Sequence, residues 1–175
     1  EYMNKANEAF DRSDLIAAMN WYRKSAQLGH APAQSRLAYL LDNAEENEEA
    51  ANWYRLAAQQ SFPEAEFGLA QMYAKGEGVE RDNEQAVTWF RRAAEKGYMP
   101  AIHVLAMAHE TGQLGLRVDY ETSVSWLRMG AESGDHWSIQ RLATAYPRGE
   151  LGLRYDAQQA LLLEQTLPSK EVGTR

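Results

Sequence analysis

The sequence predicts an all-α fold, a solenoid of about five stacked helix-turn-helix repeats. Three observations predict it. First, Trp21, Trp53, Trp89 and Trp126 follow one another at intervals of 32, 36 and 37 residues. Second, other positions move with them. Ala26, Ala58, Ala94 and Ala131 lie five residues after each tryptophan, and Gly29, Ser61, Gly97 and Gly134 lie eight after. Asp14, Glu46, Asp82 and Asp119 lie seven before. Third, apolar residues between these markers recur every three or four positions, the stripe of a helix with one buried face.

The register divides residues 1–166 into units of about 1–30, 31–62, 63–98, 99–135 and 136–166, followed by a tail, 167–175. The third unit shows the logic. Pro63 to Lys75 carries an apolar face through Ala65, Leu69, Ala70 and Tyr73. Its second helix carries one through Ala86, Trp89, Phe90, Ala93 and Ala94. Asp82 stands at the N-cap, where a carboxylate accepts free backbone N–H groups and faces the positive end of the helix dipole. Gln85 three residues on suggests a reciprocal capping box. Gly97 stands where the helix should stop, in a conformation that costs a residue with a Cβ about 1–2 kcal/mol. Ser61 departs from that glycine pattern, and Pro63 helps end the helix there instead.

Small residues precede large ones by four on the second helices: Ala18 and Tyr22, Ala50 and Tyr54, Ala86 and Phe90. The small residue lets helices approach and the aromatic fills the adjoining space. One hairpin cannot bury this stripe, whereas stacked neighbours can. The repeated Trp21, Trp53, Trp89 and Trp126, with Gly97 and Gly134, are therefore expected to be structural. The fifth unit keeps the register, with Asp156 37 residues after Asp119 and Leu163 at the tryptophan position. Leu161, Leu162 and Leu163 cannot all face one neighbour, so they are expected to contact a further element or to mediate self-association. The chain beyond Pro168, Ser169 to Arg175, is expected to fray.

Composition excludes several classes of function. The 175 residues carry 18 Lys and Arg against 25 Asp and Glu, a net charge of −7. Such a chain repels phosphate backbones, so nucleic acid is not an expected partner. The strongest local basic cluster, Arg91, Arg92 and Lys96, is interrupted by Glu95. With no cysteine, disulfides, thiolate catalysis and thiolate-bound zinc are ruled out. No apolar run reaches the roughly 18 residues of a membrane span. The chain opens Glu1-Tyr2-Met3, which suggests a fragment or processed product of a longer protein.

The loops between paired helices carry a family resemblance. The third unit reads Gly76-Glu77-Gly78-Val79-Glu80-Arg81-Asp82. The fourth reads Gly112-Gln113-Leu114-Gly115-Leu116-Arg117-Val118-Asp119, and the fifth Gly149-Glu150-Leu151-Gly152-Leu153-Arg154-Tyr155-Asp156. Leu69-Ala70 before Tyr73, and Ala86 before an aromatic, resemble tetratricopeptide repeats. The glycine loop followed by Ala-x-x-Trp-aromatic and Ala-Ala-x-x-Gly is similar to the Sel-one-like repeat family, longer-looped relatives of that fold. The third unit matches along its length, and the fourth and fifth carry one extra loop residue. The first two lack the glycine loop. The resemblance implies a right-handed α/α superhelix and an adaptor or assembly role. Bacterial members of that family serve envelope and secretion complexes, signalling and host interaction, and eukaryotic members serve protein quality control and cell-wall synthesis. It slightly favours a periplasmic or exported location over a cytoplasmic one.

No catalytic constellation accompanies the repeats. His30, His103, His109 and His136 are scattered, without a His-Glu-x-x-His pair, so no metal site is expected. His109 takes the position held by Tyr73 and Tyr146, which marks it as a packing residue. The third loop lacks the Gly-Lys-Ser/Thr of a phosphate loop and follows a helix where a phosphate loop follows a strand. Gly130-Ala131-Glu132-Ser133-Gly134 has its serine misplaced for a hydrolase elbow. Some cysteine-rich relatives in the resembled family are linked to β-lactam hydrolysis, a role that needs residues absent here. No cofactor and no enzymatic activity are expected. The carboxylates Glu45, Glu46, Glu48 and Glu49 read as a solvated rim.

In tetratricopeptide-like stacks the first helix of each hairpin lines the concave face. That places Asn4 and Glu8, then Ser35, Tyr39 and Asp42, then Phe67, Gln71 and Lys75 in a partner-binding groove. His103, Met107 and Glu110 follow, then Trp137, Gln140 and Thr144. Tyr39, Phe67 and Met107 are apolar where the repeat core does not require it, as on a surface that docks a peptide or helix. The expected function is a protein-interaction scaffold or adaptor. The alternatives are a carbohydrate or peptidoglycan binder, with Tyr39, Phe67 and Trp137 stacking on sugar rings, and a hydrolase of unknown type.

Overall fold

The computed structural model describes residues 1–166, and the tail from 167 to 175 lies outside the described residues. Helices α1 (Tyr2–Asp11), α2 (Leu15–Gln27), α3 (Ala31–Asn43), α4 (Asn47–Gln59), α5 (Pro63–Lys75) and α6 (Asn83–Glu95) form a first compact unit, Glu1–Tyr98. A second begins at Met99 and holds α7 (Met99–Thr111), α8 (Tyr120–Glu132), α9 (His136–Ala145) and α10 (Ala157–Gln165). A single 3-10 turn, Tyr146–Arg148, extends α9. No strand occurs among the described residues. Within each unit consecutive helices pack against one another, and α3 also touches α5.

The helix ends follow from backbone chemistry. Asp14, Asp82, Asp119, Asp135 and Asp156 each accept a backbone N–H three residues ahead, at 2.8–3.0 Å. Glu46, one methylene longer, makes no such bond. The reciprocal half of the expected capping box at Asp82 does not form. The Asp82 N–H already donates to the Tyr73 carbonyl at 2.9 Å, the bond that closes the glycine loop. Asp119 to His109 (2.8 Å) and Asp156 to Tyr146 (3.1 Å) repeat it. One backbone bond thus returns all three long loops to the same point.

At their C-termini α2, α4, α6 and α8 share one motif. Gly97 N–H donates to Ala94 O at 2.8 Å and Tyr98 N–H to Ala93 O at 3.1 Å, the paired bonds of a Schellman cap. Gly97 and Gly134 both take φ of +80°, and a Cβ on either would meet nothing within 4 Å. Backbone conformation alone therefore selects glycine at these two positions. Ser61 adopts the same left-handed conformation, φ +62°, so it follows the rule by geometry although its side chain resists it.

Burial sharpens the expected core. Ala18, Tyr22, Ala50, Tyr54, Ala86 and Phe90 are buried, as are Leu37, Leu41, Leu69 and Met72. The four repeated tryptophans are half-buried and pack against the edges of the two cores. The residue one position later, Tyr22, Tyr54, Phe90 or Leu127, is the buried one. Cations cover two of the indoles: Lys24 Nζ lies 4.2 Å from the Trp21 ring centre and the Arg92 guanidinium 4.5 Å from that of Trp89.

The basic cluster around Arg92 is largely neutralised. Glu66, fully buried on α5, receives Lys96 Nζ at 2.7 Å and Arg92 Nε at 3.3 Å. In α10, Leu163 packs on the second core while Leu161 and Leu162 are 54% and 51% exposed.

Candidate functional site

Tyr54 lines a cleft that gathers several of the groove residues. Its ring packs on Gly68 of α5, where a Cβ would fall less than 3.0 Å from three ring atoms. Gly68 stands in a helix interior, a position that costs about 1 kcal/mol relative to alanine. Tyr54 and Gly68 both line this cleft, of about 510 Å³ and bordered by α3 and α5. Ser35, Tyr39, Phe67 and Gln71, all expected in the groove, line it. So do Tyr98, Phe62 and Arg36. Tyr39 is 49% exposed and stands at the rim. Burial, with Asp42 nearby, pushes the Tyr54 hydroxyl well above the usual tyrosine range, and burial also raises that of Tyr98. Both hydroxyls stay protonated and can donate hydrogen bonds.

Phe67 has a second task. It meets Phe90 edge-on at 5.4 Å between centres and Tyr98 at 5.3 Å. It is thus part of the packing between α5 and α6, contrary to its expected independence of the repeat core. Asp42 and Lys75 do not line the cleft. Burial raises the Asp42 carboxyl against the opposing pull of Lys75, and Lys75 pairs with Glu77 at 3.0 Å. Asn4 and Glu8 are exposed on α1, and Met3 beside them lines the cleft instead.

Several expected residues of the second unit are engaged in contacts within that unit. His103 Nε2 lies 2.8 Å from Asp135 Oδ2, and its ring centre 4.4 Å from that of Trp137. Desolvation would raise the Asp135 carboxyl, but hydrogen bonds from the Ser138 N–H and His103 hold it below the usual range. Glu110 receives Arg141 Nη2 at 2.5 Å, and the same guanidinium reaches Glu150 at 3.1 Å. Thr144 donates to its own helix at Arg141 O. Met107, 44% exposed, and Gln140 remain open to solvent.

Reading only the first helices overlooked Tyr54, Phe62 and Tyr98, which come from a second helix and from two helix junctions. Gly68 was the signal for Tyr54, since glycine inside a helix marks a close approach. Phe62 and Tyr98 follow left-handed helix ends, the position where a Schellman motif places an apolar contact.

Among the described residues no cluster of three metal-ligating side chains forms, and no helix is long and apolar enough to cross a membrane. Paired helices, stacked through alanine and aromatic residues, define an α/α repeat protein. The Sel1 repeat family model matches residues 11–30, 31–62, 63–98 and 100–135, and the chain belongs to that family. The chain is similar to a Sel1 repeat protein from Oxalobacter formigenes, with a TM-score of 0.81 and 27% identity over 94% of this chain and 68% of that one. It is also similar to c5321, a protective antigen present in uropathogenic Escherichia coli strains that displays an SLR fold. That match has a TM-score of 0.74 and 26% identity over 94% of this chain and 44% of the antigen, so the chain spans less than half of it. No curated protein matches the chain in sequence. Sel1 repeat proteins are generally protein-interaction scaffolds and typically non-catalytic.

Proposed function

We propose that the chain is a non-enzymatic scaffold that holds a segment of another protein in the cleft between α3 and α5. The observation that carries this reading is the cleft walled by Tyr39, Tyr54 and Tyr98, with the Tyr54 ring packed on Gly68. Aromatic walls supply contact area at low entropic cost, and tyrosine hydroxyls, Gln71 and Arg36 supply directional partners for a peptide backbone. A role at the host interface is the pathway that the likeness to the c5321 antigen supports.

The test is selection of peptides from an unbiased display library on the full chain, followed by affinity measurement on Tyr39→Ser/Gln71→Ala. Both side chains are exposed, so their loss leaves the fold intact. The double variant should bind selected peptides at least tenfold more weakly with an unchanged thermal melt. Equal affinity would move the binding face elsewhere. Phe67 is unsuitable for this test, because its removal also loosens α5 from α6.

A further inference from the structure

The groove between α8 and α10 repeats a constellation of the first unit with one part missing. In the first unit Glu49 receives Arg23 Nη2 at 3.0 Å and the Trp53 indole N–H at 3.0 Å. Trp53 also packs on the core. The residues at the same repeat positions further along are Arg128, Gln159 and Leu163. Arg128 lies two residues after Trp126, as Arg23 does after Trp21. Gln159 lies four before Leu163, as Glu49 does before Trp53. All three line one cleft of about 390 Å³, floored by Ile139 and Leu142 and bordered by Tyr146. The Arg128 guanidinium reaches the Tyr146 hydroxyl at 3.4 Å and pairs with no carboxylate among the described residues.

We infer that this cleft is a binding site for a tryptophan side chain presented by another polypeptide. Leu163 leaves open the volume that an indole occupies at the corresponding place in the first unit. The floor is apolar, and a cation stands at the edge, where the electron-rich face of an indole is attracted to it. That complementarity recurs in this chain, with Lys24 over Trp21 and Arg92 over Trp89. Gln159 holds the repeat position from which Glu49 accepts the Trp53 N–H, and an amide oxygen there can accept an indole N–H, which favours indole over a phenyl ring. Gln159 carries no charge, so an indole there also frees Arg128 to face the ring.

The test is titration of the full chain with N-acetyl-tryptophanamide, with N-acetyl-phenylalaninamide as control, followed through the methyl resonances of Ile139, Leu142 and Leu163. Saturable shifts at these methyls are expected, with the phenylalanine derivative at least fivefold weaker. Leu163→Trp should fill the cleft from within, raise the melting temperature and abolish the shifts. Gln159→Leu should bring both amides to similar affinity. Absence of saturable shifts in the wild type, or shifts undiminished in Leu163→Trp, would overturn the inference.

Discussion

Ser61 holds the left-handed backbone, φ +62°, that Gly29, Gly97 and Gly134 hold at the same repeat position. A Cβ makes that conformation cost about 1–2 kcal/mol. Ser61→Gly should therefore raise stability by about 1 kcal/mol in a denaturant titration, and a loss of stability would contradict the capping account. Gly78 presents the reverse case. Its φ is +66° and its α-carbon lies against the Asn47–Glu48 peptide at the start of α4. Gly78→Ala should destabilise by more than 1 kcal/mol, because backbone cannot yield as a flexible side chain can. The sequence showed the glycine but not its neighbour, since contacts across 30 residues leave no local signature.

At the scale of the element, α2 and α6 are each held by a buried aromatic, a half-buried tryptophan beside it and an aspartate cap. Phe90→Ala should cost about 3–5 kcal/mol, the usual loss for a buried ring. Trp89→Ala should cost about half of that, less than its repeated position alone suggests, since one face of its indole is open to Arg92 and solvent. Equal losses in chemical denaturation would refute this division. The caps also set a pH dependence. Hydrogen bonds from Thr122 hold the Asp119 carboxyl below its usual range, and hydrogen bonds from Trp53 and Arg23 do the same for Glu49. A depressed folded-state pKa stabilises above the ordinary carboxylate value and is lost as pH falls through the folded one. Stability should therefore decline from about pH 5 downward, and Asp119→Asn should flatten that decline. Helix periodicity made these elements legible, and aspartate and glycine made their ends legible. The relative burial of adjacent aromatics was not, because a stripe at spacings of three and four does not say which of two neighbours faces inward.

At the scale of the whole molecule, the repeat register gave the architecture from the sequence, and the family match and solved relatives establish it. The candidate cleft was half legible. Ser35, Tyr39, Phe67 and Gln71 were reached by mapping first helices, whereas Tyr54, Phe62 and Tyr98 enter through a helix-interior glycine and two helix junctions. The remaining candidates of the second unit include His103 and Glu110, which the fold commits to internal contacts with Asp135 and Arg141. The central claim is that partners are held between α3 and α5. Backbone amide shifts of the isotope-labelled chain, recorded on adding a library-selected peptide, test it most directly. The account predicts that the largest perturbations fall on Ser35, Tyr39, Gly68, Gln71 and Tyr98; perturbations confined to α2, α4 and α6 would contradict it.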